Sequence, residues 1–482
     1  MSAPAPLLVV GDALLDHDLR GRADRLAPDA PVPVLTSAHR TSRPGGAALA
    51  ACLAAAGGRP VTLVTALGDD EASGLLERLL AGRVRLVRLP LAGALSSKTR
   101  VIAGDTPLLR LDDGEGRAGP ATEEARRAVA GAGAILVADY GRGTADALRG
   151  ALASAAGRVP VVWDPHPRGK PPVPGVRLAT PSAAEARAFA AGPAAGRPLR
   201  RAARDADALV RAWRAASVAV TMGGRGALLS HGQTPLLVPS AATVQGDACG
   251  AGDRFAATAA GVLADGGLTE TAVRAAVHAA TRYVAEGGAR TLDTVADTAP
   301  DAVPDTVADT VARSGPRPAG GGGPAGEALR TAARVRAAGG TVVAAGGCFD
   351  LLHAGHVALL QAARRAGDCL VVCVNSDASV RRGKGEGRPL VPLADRVRVL
   401  RALECVDAVA VFEEDTPERL LADVRPHIWA KGGDYALGRL PEAALVESWG
   451  GQVVLLPYLD GRSTTGIAER AAAAPPMERG PR

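Results

Sequence analysis

LLVVGD (7–12) is a four-residue apolar run closed by a glycine and an aspartate. Such a run is too short for a helix and reads as a buried strand ending in a turn. The same pattern returns as VTLVT (61–65), AILVA (134–138), VPVVW (159–163) and SVAVT (217–221), separated by Ala-, Arg- and Glu-rich stretches of helical composition. Continuous apolar strands alternating with helices predict an α/β fold with a mainly parallel sheet covered by helices. The chain has 482 residues, 47% of them hydrophobic, which is too long for one ordinary domain. Aromatic residues are only 2%, so the core must be built from Ala, Val and Leu.

Between 291 and 326 the character changes. TVADT stands at 294–298 and again at 306–310, followed by SGPRPAGGGGPAG (314–326). Two copies are too few for a repeat architecture, and the composition is that of a flexible linker. Beyond it EALRTAARVRAAGG (327–340) reads as a helix, and TVVAA (341–345), CLVVCVNSD (369–377) and QVVLLP (452–457) open a second α/β series. The expected organisation is a domain over 1–292, a linker over 293–326 and a smaller domain over 327–482.

The net charge of +6 is dispersed, with no Lys/Arg block or interleaved aromatics, which argues against a nucleic-acid partner. There are four lysines, Lys98, Lys170, Lys384 and Lys431, among many arginines. An ammonium and a guanidinium are not interchangeable at a phosphate site, so these four merit inspection. Six cysteines without a CxxC pair, in apolar surroundings, read as buried free thiols of a cytoplasmic protein. Neither a basic leader nor an 18-residue apolar run occurs, so no signal peptide or membrane contact is expected.

Two segments carry chemistry. Asp247-Ala-Cys249-Gly250-Ala251-Gly252-Asp253 precedes RFAATAAGVLADG, which reads as a helix. Small residues at 250–252 let backbone N–H groups approach an anion, and the helix dipole adds to them. Asp253 beside that cradle could take the proton of an attacking hydroxyl. The second segment is Gly346-Gly-Cys348-Phe349-Asp350-Leu-Leu-His353-Ala-Gly355-His356, again entering a helix. Imidazoles three residues apart project from one side of the first turn, where they can donate to a phosphate. A zinc site would need a third ligand or the glutamate of HExxH, and neither is present.

With Arg43-Pro-Gly45-Gly46, APDAPVPV (27–34), Lys98-Thr-Arg100, LLRLD (108–112) and ADYGRG (138–143), residues 7–290 resemble the ribokinase-like sugar kinases. Within them they look most like the heptose 7-phosphate kinase half of the bifunctional heptose kinase and adenylyltransferases. The resemblance implies Asp253 as catalytic base and Gly250, Ala251 and Gly252 as the anion hole. It places Asp12, Gly45 and Gly46 at the sugar and Lys98 and Arg100 at its 7-phosphate. Ser182-Ala-Ala-Glu185 stands where the family has Asn-x-x-Glu, whose Glu organises magnesium and the nucleotide phosphates. Gly224 and Gly226, in Thr221-Met-Gly-Gly-Arg-Gly226, would turn near the nucleotide. The chain departs from the family at Leu49 and Ser182, where relatives carry Asn, and at Cys249, where they carry Thr.

HxGH directly after a strand resembles the nucleotidyltransferase superfamily. Adding NSDASV (375–380), Arg381-Arg-Gly-Lys384-Gly-Glu-Gly-Arg388-Pro389, FEEDTPERL (412–420), Lys431-Gly-Gly-Asp434-Tyr435 and Gly461-Arg-Ser463-Thr464-Thr465-Gly, residues 338–470 resemble the adenylyltransferase half of the same enzymes. The resemblance implies ATP across the helix start at His353, Gly355 and His356, near Phe349 and Asp350, with Ser463, Thr464 and Thr465 on its phosphates. Lys384 and Arg388 would meet pyrophosphate or the sugar phosphate, and Lys431 a phosphate at the reacting centre. Gly346 stands where several relatives have Asn.

The implied whole is a ribokinase-like sandwich with a mainly parallel sheet, linked to a smaller Rossmann-like nucleotidyltransferase domain. It would use ATP and Mg2+ to phosphorylate heptose 7-phosphate at C1 and to adenylylate heptose 1-phosphate. A separate heptose bisphosphate phosphatase is implied between the steps, and a homodimer through the kinase domain is compatible with the resemblance. Two other readings stay open: a kinase domain reduced to a scaffold beside an active nucleotidyltransferase, or a different sugar and nucleotide pair.

Overall fold

The computed structural model describes residues 3–104, 106–192, 195–242, 244, 246–289, 324–432 and 440–457. The chain forms two compact units, one of Met1–Pro193, Arg204–Gly232 and Ser240–Asp309, the other of Ala194–Ala203, Gln233–Pro239 and Thr310–Arg482. The repeated TVADT segments lie outside the described residues, whereas a helix runs over Pro324–Ala337.

The first unit is organised on one sheet whose strands lie in the order Ala227–Ser230, Val218–Thr221, Leu178–Ala179, Val161–Asp164, Ile135–Ala138, Leu7–Gly11, Val61–Leu67, Arg85–Ala92, Arg117–Ala118. All five strands read from the apolar runs are present. They run parallel, and only the outermost pair at each end is antiparallel. Val9, Val10, Leu63, Val64, Leu136 and Val137 are fully buried. That is why these runs are apolar throughout: helices cover both faces of a parallel sheet. Strand order reverses between Leu7–Gly11 and Ile135–Ala138, which opens a crevice at their carboxyl ends.

A second, four-stranded sheet was not legible in the apolar pattern. Its order is Pro33–Gly46, Ala13–Leu26, Ser97–Ala103, Thr106–Asp113. The first two strands are 14 residues long and strongly charged, and only their ends nearest the crevice are buried. Register sets Asp16 opposite both Arg43 and Lys98, and Asp18 opposite Arg100.

In the second unit, strands Ala408–Phe412, Cys369–Asn375, Val342–Gly347, Ile428–Gly432 and Gln452–Leu456 lie side by side in that order, all parallel, with Leu236–Val238 beside the last. The order reverses between Val342–Gly347 and Ile428–Gly432, so the HxGH segment leaves the first strand of this series at its switch point. Gly346 has a steric reason here. A Cβ at that position would lie 2.3 Å from Cη2 of Trp429, which is fully buried. Gly346→Ala is therefore expected to cost about 1–3 kcal/mol, read by urea denaturation, and a Trp429→Leu background should return much of it.

All six cysteines are free. Cys52, Cys369 and Cys373 are buried as the sequence suggested, but Cys249, Cys348 and Cys405 are only partly so. The two chemistry-bearing segments each place one of these, Cys249 and Cys348, beside a cation described below. No helix among the described residues is long and apolar enough to cross a membrane.

Candidate active sites

The helix Ala251–Ala264 begins at Gly250, whose φ of +81° puts it in the left-handed region. A Cβ there would meet Tyr283 Oη at 2.6 Å and Leu49 Cδ2 at 2.7 Å, so glycine is required by both backbone and packing. Gly252, by contrast, faces open space, leaving its backbone approachable from outside. Ala251 differs from its expected role, because its N–H donates to the Ala248 carbonyl at 3.1 Å and is spent inside the turn.

Asp253 sits in that turn with its side chain buried, and its Oδ1 accepts a hydrogen bond from Tyr140 Oη at 2.7 Å. Burial pushes its carboxyl up to about 7, Asp16 adds to the rise, and Tyr140 and Lys98 oppose it. A group with that pKa suits a general base at neutral pH. Lys98 Nζ lies 5.9 Å from the centre of the Tyr140 ring.

Asp12 is used differently from a sugar ligand. Its carboxylate accepts the backbone N–H groups of Tyr140, Arg142 and Thr144 at 3.1, 2.8 and 3.0 Å. It thus clamps the loop that carries Tyr140 across the switch point. Asp16, four residues on, is the carboxylate that faces Asp253, and the spacing GDALLD was the signal for it. A Cβ at Gly45 would stand 2.3 Å from Leu14 Cδ1 and 2.6 Å from Asp16 Oδ2, so both side chains need glycine there. Gly46, with φ +58°, would collide with the Asp12 carbonyl. Arg100 bridges Asp16 Oδ1 at 3.3 Å and Cys249 Sγ at 2.9 Å. Arg43 pairs with both oxygens of Asp18, which is 2% exposed.

The departures from the family pattern each have a local explanation. Leu49 is buried and packs against the Gly250 turn. Cys249 accepts from Arg100. Ser182 caps the helix Ala183–Ala190 in a capping box: its Oγ accepts from the Glu185 N–H at 3.3 Å, and Glu185 Oε2 accepts from the Ser182 N–H at 2.8 Å. Gly224 faces open space in the turn Gly223–Arg225, and Gly226 closes it with φ +90°.

Glu185 stands near a concentration of acid missed in the sequence. Burial, with Asp253, Glu185 and Asp139 nearby, pushes Asp164 well above the usual carboxylate range. Asp139 is raised to about 7, again mainly by burial. Among the described residues no three side chains converge closely enough to hold a metal by themselves. Crowded hard-oxygen donors still fit magnesium, which takes one or two carboxylates and completes its shell with water and phosphate oxygens.

In the second unit His353 is the N-cap of the helix Ala354–Arg365, and its Nδ1 accepts the Gly355 N–H at 3.1 Å. A neutral ring so bonded carries its proton on Nε2, which makes that atom a donor. His353 and His356 stack with centroids 3.9 Å apart, and the Phe349 edge meets His356 at 5.4 Å. Burial, together with His353 and Lys384, lowers His356 to about 4, so it is neutral at neutral pH. Lys384 Nζ donates to Cys348 Sγ at 3.1 Å.

Asp350 is wholly buried and its carboxylate is taken by the protein. It accepts from Leu390 N and Val391 N, each at 3.0 Å, and from Arg388 Nη1 at 2.9 Å. Asp350 and Arg388 therefore latch the glycine-rich basic loop onto the HxGH segment. Arg396, missed in the sequence, ties the same region together: it donates to the carbonyls of Val391, Cys348 and Asn375 and to Asp377. Lys431, 9% exposed, pairs with Glu442 at 3.2 Å and lies 5.1 Å from the Trp429 ring centre. Lys170 makes an exposed ion pair with Asp146. Ser463, Thr464 and Thr465 lie outside the described residues.

Comparison with known proteins agrees with a carbohydrate kinase joined to a nucleotidyltransferase. Residues 5–295 match the family model described as pfkB family carbohydrate kinase, and residues 344–454 the one described as cytidylyltransferase-like. The bifunctional protein HldE of Streptomyces coelicolor is 62% identical over 470 residues, covering 97% of this chain and 96% of that protein. HldE of Alkalilimnicola ehrlichii is 38% identical over 481 residues, covering 98% of each. HldE of an Escherichia coli strain is 36% identical over 477 residues, covering 97% of this chain and 96% of that one.

Proposed function

The chain belongs to the bifunctional HldE proteins and, through its first half, to the pfkB family of carbohydrate kinases, and on that premise we propose that it makes ADP-heptose in two separate steps. It is a carbohydrate kinase joined to a nucleotidyltransferase. In the first step the C1 hydroxyl of D-glycero-β-D-manno-heptose 7-phosphate attacks the γ-phosphorus of ATP. The O1–P bond forms, the bond to the β,γ-bridging oxygen breaks, ADP leaves, and Asp253 takes the hydroxyl proton. Gly250, Gly252 and the start of their helix stabilise the transferring phosphoryl group, with Ala251 shaping the turn. Lys98 and Arg100 hold the 7-phosphate, Asp16 the sugar, and Gly224 and Gly226 the nucleotide side. Glu185 would hold magnesium, which when bound would neutralise charge on the nucleotide phosphates.

In the second step the phosphate of heptose 1-phosphate attacks the α-phosphorus of ATP and pyrophosphate leaves. His353 and His356 donate to the phosphorus oxygens that gain charge, Lys384 and Lys431 neutralise phosphates, and Gly355 lets them approach the backbone. Ser463, Thr464 and Thr465 are assigned to the ATP phosphates by the resemblance of their segment. The steps are not consecutive, since the 7-phosphate must leave between them, so a separate phosphatase completes the sequence. The reactions belong in the cytoplasm, where ATP and sugar phosphates are found. A homodimer through the kinase half is supported by the edge strand Thr106–Asp113, exposed throughout, with Leu109 54% and Leu111 52% exposed.

The observation that carries the kinase reading is the buried Asp253 in the first turn of a glycine-started helix, beside Lys98 and Asp16. The test is incubation with ATP, Mg2+ and heptose 7-phosphate, with and without a heptose bisphosphate phosphatase, followed by mass spectrometry. Heptose bisphosphate is expected without the phosphatase and ADP-heptose with it. Absence of bisphosphate would reject the kinase step and leave a nucleotidyltransferase on an inactive scaffold.

A further inference from the structure

We propose that Tyr140 is a positioning residue of the phosphoryl-transfer step: its phenol donates to Asp253 Oδ1, favouring the ionised carboxylate and leaving Oδ2 for the proton of the attacking hydroxyl. This rests on the kinase reading above. The two residues are 113 apart in sequence and 2.7 Å apart in space. Three features hold the phenol there. Asp12 binds the N–H of Tyr140 itself and those of Arg142 and Thr144, so the loop cannot swing away without breaking three charge-assisted hydrogen bonds. His166 lies against the ring, with centroids 6.2 Å apart. Lys98, the residue assigned to the sugar phosphate, places its Nζ over the ring, 5.9 Å from its centre.

The surroundings decide the direction of the effect. Asp253 is faced by Tyr140, Asp16 and Lys98, and its charge is also felt by Asp164 and Tyr283. Tyr140 is faced by Asp253, Asp164 and Glu185. So many carboxylates oppose a further negative charge, and the phenol keeps its proton throughout turnover. It can donate but not act as the base. The donor stabilises the carboxylate against the repulsion of Asp16 and the loss of water, both of which favour the protonated acid.

In Tyr140→Phe, kcat/KM for heptose 7-phosphate phosphorylation should reach half its maximum near pH 8 instead of near the wild type's expected 7. The deficit should be about fivefold at pH 7 and under about twofold at pH 9, with KM for ATP unchanged. A uniform loss at every pH would overturn the inference, as would an unchanged profile. A second measurement retains the side chain's shape. Replacing tyrosine biosynthetically with 3-fluorotyrosine in a Tyr283→Phe background gives a more acidic, stronger donor, and the profile must move to lower pH. The infrared C=O band that Asp253→Asn removes reports the same displacement without turnover. A chain inactive on heptose would thus refute the substrate and leave this test intact.

Discussion

Asp253→Asn is expected to reduce phosphoryl transfer to the sugar by about 10³-fold in kcat, while adenylyl transfer to heptose 1-phosphate stays at the wild-type rate. The amide keeps the shape of the acid and can still accept from Tyr140, so the loss reports the base and not the packing. Stability gives an independent check. The Asp253 carboxyl titrates at about 7 in the folded chain, above its ordinary value. Its contribution to folding is therefore present at low pH and is lost as pH rises through about 7, where a buried charge must be carried. Removing the charge should leave the melting temperature at pH 8 equal to or above that of wild type. Coupled assays of ADP release and a thermal melt measure both quantities. Residual kinase activity within tenfold of wild type would show that another group takes the proton.

His356→Ala should do the reverse, lowering adenylyl transfer by about 10²–10³-fold with the kinase untouched. The ring lies between His353 and the edge of Phe349, and burial lowers it to about 4. It therefore works as a neutral donor, and pyrophosphate release should show no inflection between pH 6 and 8 from this group. His356→Asn, which retains an N–H, should keep more activity than alanine does. An inflection near pH 6.5 that vanishes in His356→Ala would mean that the imidazolium is the working form.

The two sites differ in how their parts could be found. GAGD and HxGH each hold their acid or imidazoles within a few residues of a helix start, so both could be singled out from local sequence alone. Asp350 and Arg388 were read as nucleotide and phosphate contacts, yet their mutual hydrogen bond, with those from Leu390 and Val391, engages them with the protein itself. Asp12 was singled out at the end of its strand, but only the reversal of strand order shows that it clamps a loop 130 residues away. Ser182 looked like the loss of an amide, and its role as the cap opposite Glu185 required the helix geometry.

By itself the amino-acid order determined the alternating strands and helices, the two α/β halves and the two helix starts at GAGD and HxGH. These follow from short-range rules, namely apolar runs, glycine conformations and side chains one turn apart. Tertiary structure alone decided that Tyr140 meets Asp253, that Asp16 stands between Arg43 and Lys98, that Arg396 ties three loops together and that Trp429 leaves room only for glycine at 346. Each of those contacts joins segments brought together by sheet order and strand register. The pairing energy lies between side chains distant in sequence, and no local period records it.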